Sequence, residues 1–158
     1  MSKPDPKSQP GISLILRNKK AFHEFEILET LECGIALTGT EVKSLRERKV
    51  NFSQTFALAK GGRLTLIGLH IAPYAMGNLQ NHPPERKRPL LAHRREIRKL
   101  ARRTDERGLS LVPLKLYWKR GRCKVELAVV RGKHLHDKRE IKREKDLKRQ
   151  VERETRSR

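Results

Sequence analysis

Enzyme chemistry needs groups at working distances: a nucleophile beside a base, a pair of acids, or clustered metal ligands. None is visible here. The serines have no recognisable base partner, and the glycines at 61–62, 68 and 132 lack the spacing of a phosphate-cradling loop. His134 and His136 alternate in a basic stretch without further ligands nearby, so the pair is weak evidence for a metal. Cys33 and Cys123 are too few for a disulfide framework, lack the paired spacing of a zinc site, and read as core cysteines. The chemistry that the residue types do favour is neutralisation of phosphate. Lys43 and Arg46 stand three apart on one helix face, and Arg94, Arg95, Arg98 and Arg102 fall within an arc of roughly 100° on another. A charge run on a helix is usually a solvated face. Here no carboxylate interrupts the arginine arc, the four cations repel one another, and a phosphate-facing role is at least as good a reading. No enzyme, cofactor or metal is expected.

Composition points the same way. With 38 Lys plus Arg against 18 Asp plus Glu, the 158-residue chain has a formal net charge of +20 and a pI near 10.7. A charge that large fits a polyanionic partner, because Lys and Arg release counterions condensed on phosphates. Solubility alone would need far less. A hydrophobic fraction of 35% and a mean hydropathy of −0.76 suit one domain with unpacked tails. No apolar run approaches the ~18 residues of a membrane span, and the opening MSKPDPKSQPG has no apolar h-region. A cytoplasmic protein without a membrane partner is expected.

The elements that must position the cations are mostly strands. Residues 1–11 hold three prolines, a glycine and lysines, and read as a disordered lead. Residues 12–132 form the expected domain, with strand patterns at 23–28, 34–38, 55–59, 63–71, 109–118 and 123–130. Gly61-Gly62 supplies the positive φ angles of one tight hairpin, and Lys119-Arg120-Gly121-Arg122 marks a second. Cys123, Val125, Leu127 and Val129 alternate inward, while Pro113 marks an edge or a bulge. Thr38 and Glu41 have the spacing of a capping box ahead of Val42 and Leu45; a second helix over about 94–103 buries Ile97, Leu100 and Ala101. The pattern predicts a mainly β fold with helices: an OB-like, partly open antiparallel β-barrel of about six strands with two short helices. A basic C-terminal tail, 133–158, follows. Its large aliphatics after Leu135 are Ile141, Leu147 and Val151, too sparse to dock on a barrel. Helix propensity is nevertheless high, Asp137 can cap a first turn with Glu140 three positions on, and Glu144 pairs in register with Lys148. The tail is expected to be disordered alone and helical against RNA.

Longer strings carry a family signature. NKKAFHEFEILETLECGIALTGTEVKSLRERKVNFSQTFALA (18–59), HIAPYAMGNLQNHPPERKRPLLAHRREI (70–97), GLSLVPLKLYWKRGRCKVELAVVRGK (108–133) and HDKREIKREKD (136–146) occur in that order. From about residue 17 to the end the chain resembles the SmpB, or SsrA-binding protein, family, with GTEVKSL and HDKRE as the most specific motifs. The resemblance implies an OB-like barrel that binds the tRNA-like domain of transfer-messenger RNA (tmRNA, SsrA). It implies delivery of that alanine-charged RNA to stalled ribosomes, the reaction of trans-translation. The barrel would stand in for an anticodon stem and the tail would occupy the vacant mRNA channel against small-subunit rRNA. Elongation factor Tu would be met through the charged RNA, and the chain would act as a monomer. Position by position, the resemblance implies RNA contacts at Glu32, Leu91 and His93. Lys19, Lys43, Arg46 and Arg94 complete the expected tmRNA-binding set. Gly132, Lys133, His136, Asp137, Lys138 and Arg139 match the tail motif that engages the decoding centre.

Each residue also has a plainer reading. Glu32 could be held in an ion pair by a neighbouring Lys or Arg, and Leu91 could be buried in the core. Trp118 and Tyr74 read as packed rather than stacked on bases. Aromatic residues make up only 4% of the chain, so recognition of RNA shape by basic loops fits better than a stacking platform. A basic structural ribosomal protein and a general RNA chaperone are the competing functions. The first would stay on ribosomes through high-salt washing, and the second would show no preference among RNAs.

Overall fold

Two hairpins frame the molecule. β3 (Val50–Lys60) and β4 (Arg63–Ile71) meet at Gly61-Gly62, and β6 (Leu109–Lys119) and β7 (Arg122–Gly132) meet at Arg120-Gly121. All four turn residues have positive φ, as a type I′ turn requires. In the computed structural model, which describes residues 11–77, 81–106, 108–133 and 135–156, β2 (Phe25–Ile35) runs antiparallel along β7. The short β5 (Arg88–Leu91) bridges β4 to β2. Followed round, the order β6-β3-β4-β5-β2-β7 returns to β6, and β1 (Ile12–Arg17) is added at β6.

The barrel is therefore closed, not partly open. Its last seam is a single residue pair, Ala57 on β3 with Leu111 on β6. The strands expected at 23–28 and 34–38 are one strand, β2, and β1 and β5 lie outside the six expected segments. Among the described residues the barrel carries three helices rather than the expected two, α1 (Lys19–Glu24), α2 (Gly39–Arg46) and α3 (Arg94–Asp105), and α4 (Leu135–Arg156) lies in the tail. α1 forms because the Asn18 side chain accepts from the Ala21 N–H (3.1 Å) and donates to the Pro113 carbonyl (2.9 Å). That local cap outweighs the strand pattern at residue 23. The register shift between Pro113 and Lys115 is the bulge expected at the proline. Of the lead at 1–11, all but Gly11 lies outside the described residues.

Inside the ring, Leu66, Leu69, Leu111, Leu116, Val125, Leu127 and Val129 are almost wholly buried, with Leu45 of α2 and Ile97 and Leu100 of α3 closing the same core. A smaller cluster lies outside the ring, where Ala21 of α1 covers Val112, Leu114, Ala128 and Val130. Cys33 and Cys123 are buried and free, and burial pushes both thiols up to about 12, so both stay neutral. At one point the ring depends on a glycine. Three residues of β3 bulge opposite Gly68, which has φ +82°, and an added Cβ there would meet the Gln54 carbonyl oxygen. Gly68→Ala should lower stability by roughly 1–3 kcal/mol through backbone strain alone, read as a shift in the thermal midpoint.

The tail forms one continuous helix, α4. With no Gly or Pro and abundant Lys, Arg and Glu, propensity alone favours this. The helix begins at Leu135, so Asp137 falls within its first turn rather than ahead of it. From Lys142 to Arg156 every residue is exposed, Leu147 and Val151 included, so this part of α4 gains little from packing on the barrel.

Candidate nucleic-acid interface

Pairing of β2 with β5 sets Leu91 against Gly34, and Leu91 is 61% exposed, which excludes core burial. Glu32, two residues before Gly34 on the same side of β2, joins this surface. The Tyr117 hydroxyl donates to Glu32 Oε2 (2.5 Å), and Lys119 Nζ lies 3.2 Å from both carboxylate oxygens. The bond from Tyr117, with the bond and charge of Lys119 and the charge of Lys124, outweighs burial and holds the Glu32 carboxyl below the usual carboxylate range. Burial and the facing carboxylate push the Tyr117 hydroxyl up, so it remains a donor. The ion pair anticipated for Glu32 is therefore present. The carboxylate stays partly exposed, with acceptor capacity beyond the Tyr117 and Lys119 bonds. Beside it, Gly34, Leu37, Leu91, Arg122 and Lys124 line an open cleft of about 410 Å3.

Leu91 leads directly into α3. His93 is the N-cap residue, and its backbone N–H donates to Glu96 Oε2 (3.0 Å). Lys99 is ion-paired with Glu29, and Arg103 reaches both Glu29 (4.0 Å) and Glu106 (3.1 Å). Arg94, Arg95, Arg98 and Arg102 are the exposed arc expected from the sequence, and none is ion-paired among the described residues. The cations that fasten the helix and those offered to solvent thus occupy different faces.

On α2, Lys43 and Arg46 are exposed, and Lys43 Nζ stands 5.3 Å above the Tyr74 ring. Tyr74 is thus covered by Lys43, while Trp118 packs against the core. Thr38 occupies the N-cap position without a side-chain cap bond to the backbone; its hydroxyl donates instead to Glu41 Oε1 (3.1 Å). Glu41, expected to complete a capping box, turns inward. Arg86 Nε and Arg88 Nε each donate to it at 2.5 Å, with Glu41 5% and Arg88 0% exposed. Arg88 also donates to the carbonyls of Leu69 (2.6 Å), Pro84 (2.9 Å) and Arg86 (3.0 Å). Sequence reasoning missed this network. Its one signal was a glutamate in the first turn of a helix with arginines flanking Lys87.

The root of the tail is fixed. Gly132 pairs with Phe25, the Lys133 N–H donates to the Glu24 carbonyl (3.1 Å), and Lys133 Nζ reaches the Phe22 carbonyl (3.4 Å). Lys19 is exposed at the start of the same helix, α1. Beyond the root, His136, Asp137 and Lys138 fall in the first turn of α4 and Arg139 is exposed; His134 lies outside the described residues. The predicted set thus divides into a barrel patch (Glu32, Leu91, His93, Arg94), the α2 pair and the α1–tail junction. Among the described residues no cluster of His, Cys, Asp and Glu could hold a metal, and no helix is long and apolar enough to cross a membrane.

Similarity to known proteins runs across all of these elements. The family model described as SmpB protein matches residues 15–157. An SsrA-binding protein of Geobacter sulfurreducens is 52% identical over 141 residues, covering 89% of this chain and 92% of that relative. SsrA-binding proteins of Syntrophobacter fumaroxidans and Staphylococcus haemolyticus are 49% and 50% identical over 153 residues, each covering 97% of this chain and 95% and 96% of their own. A solved structure described as "tmRNA-SmpB: a journey to the center of the bacterial ribosome" contains a chain 52% identical, with a TM-score of 0.65 over 76% of this chain and 85% of that one.

Proposed function

The chain belongs to the SmpB family, and from that membership we propose that it is a non-enzymatic RNA-binding adaptor of ribosome rescue. The barrel binds the tRNA-like domain of tmRNA and carries it to stalled ribosomes. There the barrel takes the place of an anticodon stem, and α4 lies in the empty mRNA channel against small-subunit rRNA. Elongation factor Tu is met through the charged RNA, and the protein works as a cytoplasmic monomer. One observation carries the reading: a single chain presents two separate cationic surfaces, a patch on the barrel and a long helix exposed from Lys142 to Arg156.

Chemistry divides the work among the side chains. Lys19, Lys43, Arg46 and Arg94 are placed to neutralise phosphates, which gives affinity without sequence preference. A carboxylate repels phosphate, so Glu32 is suited to accept from base or ribose donors, with Leu91 as its apolar neighbour and His93 beyond. Gly132 and Lys133 root the tail, and His136, Asp137, Lys138 and Arg139 present its first turn to the decoding centre. The test is binding of tmRNA and of bulk tRNA across a salt series. Lys43→Ala/Arg46→Ala should weaken both and flatten the slope of log K against log salt by about 0.7–0.9 for each lost contact. Leu91→Ala and Glu32→Ala should each cut the preference for tmRNA with the slope unchanged. Equal losses on both RNAs in the Leu91 and Glu32 variants would move recognition elsewhere on the barrel.

A further inference from the structure

Aromatic side chains are few, and six of the seven are at least partly buried. The exception is Phe56, 45% exposed on the outer face of β3, with Leu58 beside it at 47%. Between and around them the smaller Thr55 and Ala57 point inward and are buried. Strand pairing extends the outer surface: Phe56 stands opposite Ile67, Leu58 opposite Thr65, and Lys60 opposite Arg63 at the hairpin tip. On the other side of Phe56 and Leu58, the barrel seam opens. β3 and β6 are joined there only through Ala57 and Leu111, and a cleft of about 460 Å3 lies between Phe56, Leu58 and Lys60 on one wall and Asp105, Leu109 and Ser110 on the other.

The charges around this apolar centre identify what it fits. Lys60 lines the cleft and Arg63 is exposed next to it. By helical phase, Arg98 and Arg102 share the side of α3 that carries Asp105, seven and three residues before it. At ~1.5 Å per residue, α3 spans about 18 Å from the Leu91–His93 patch at its start to the cleft at its end. Its exposed arginines lie in between. An aromatic face with cations on both flanks, continuous with a cationic helix, suits a nucleotide better than a peptide. We infer that Phe56 and Leu58 receive an unpaired nucleotide of RNA: the base stacks on Phe56, and its neighbouring phosphates meet Lys60 and Arg63 on one side and Arg102 on the other. Asp105 and Ser110 stand at the rim, where they can accept from exocyclic amines. This surface extends the interface of the proposed function to a second base-reading point, and it depends on that reading only for RNA being the partner.

The test uses the full chain with two RNA sources, a tmRNA transcript and purified small ribosomal subunits, alongside an oligoadenylate ten-mer. Phe56→Ala should bind the ten-mer about tenfold more weakly than the parent, with an unchanged salt slope, because stacking is lost and no charge is removed. The same loss on tmRNA or on small subunits would say which of them supplies the nucleotide. Phe56→Trp should retain affinity and show quenching of the new indole on binding, above the background from Trp118. That variant, with Leu58→Ser, keeps the test open if Phe56→Ala fails to fold. Parental affinity of a folded Phe56→Ala for all three probes would overturn the inference. So would unchanged RNA binding together with lost peptide tagging, which would assign the face to a protein. Measuring Leu91→Ala in parallel separates the two sites. A loss confined to Leu91 rejects only this inference, and a loss confined to Phe56 rejects only the Leu91 role.

Discussion

Alanine at Asp137, Lys138 and Arg139 together should reduce peptide tagging on stalled ribosomes by about a hundredfold, the loss of two charge-assisted contacts at roughly 1.5 kcal/mol each. Affinity for tmRNA should be unchanged. Both expectations follow from where the residues sit. They lie just beyond a root tied to α1 through the Lys133 backbone and ammonium, at the start of a helix whose side chains from Lys142 onward all face solvent. The strands that close the barrel end at Gly132, before them. As a helix of 22 residues, α4 is about 33 Å long, suited to a channel rather than a pocket. The order of a helix exposed over most of its length is marginal in water, so under the proposed function contacts at its first turn set whether the rest is laid along the rRNA. An acidic residue in the first turn also favours the helix dipole, which makes Asp137 useful there even though it does not precede the helix. The paired measurements are a tagging assay and tmRNA binding, with truncation after Gly132 as the control that should leave the thermal transition intact. Full tagging by the triple variant would remove the tail from the mechanism.

What the sequence made legible was local. Both hairpins were readable because a glycine turn is decided by two residues, and α3 because its apolar stripe and its arginine arc share one period. The errors were contests between local and distant effects. α1 replaced the start of an expected strand because Asn18 finds both Ala21 and, far along the chain, Pro113. Closure of the ring rests on one pair, Ala57 with Leu111, and no local pattern announces a contact between strands so far apart. The candidate site shows the same division. Leu91 could be placed at the surface only by resemblance, because alternation cannot say which side of a short strand faces in; the structure sets it exposed, paired with Gly34. In β3 alternation could mislead: Phe56 and Leu58 have the character of core residues, yet the small Thr55 and Ala57 are the ones turned inward. A large apolar side chain facing out beside a small one facing in is intelligible once the barrel is seen.

The largest loss of stability should come from Glu41. Glu41→Ala should cost about 3–5 kcal/mol and lower the thermal midpoint by roughly 10–20 °C, because it strands the Arg88 guanidinium, which is 0% exposed, with carbonyl partners only. Arg86 would lose its 2.5 Å contact as well, freeing the segment at 84–88 from α2. Burial alone would raise the Glu41 carboxyl, but the bonds and charges of Arg88 and Arg86 outweigh it and hold the group below its ordinary value of 4.5. A carboxylate lowered in the folded state stabilises fully above its unfolded pKa, and the contribution disappears as pH falls through the folded one. The parent should therefore lose stability on acidification below about pH 4.5, the ordinary value of an unfolded glutamate, and the part of that loss due to Glu41 should be missing from Glu41→Gln. Glu41→Leu/Arg88→Met, which removes both charges and keeps apolar volume, should recover much of the stability that Glu41→Ala loses. Unfolding by heat at pH 7 and at pH 4 on the parent and these variants makes the comparison. If Glu41→Ala melts within a few degrees of the parent at pH 7, Arg88 is held by its carbonyl bonds alone. In that case α2, with Lys43 and Arg46, does not depend on the buried pair for its position.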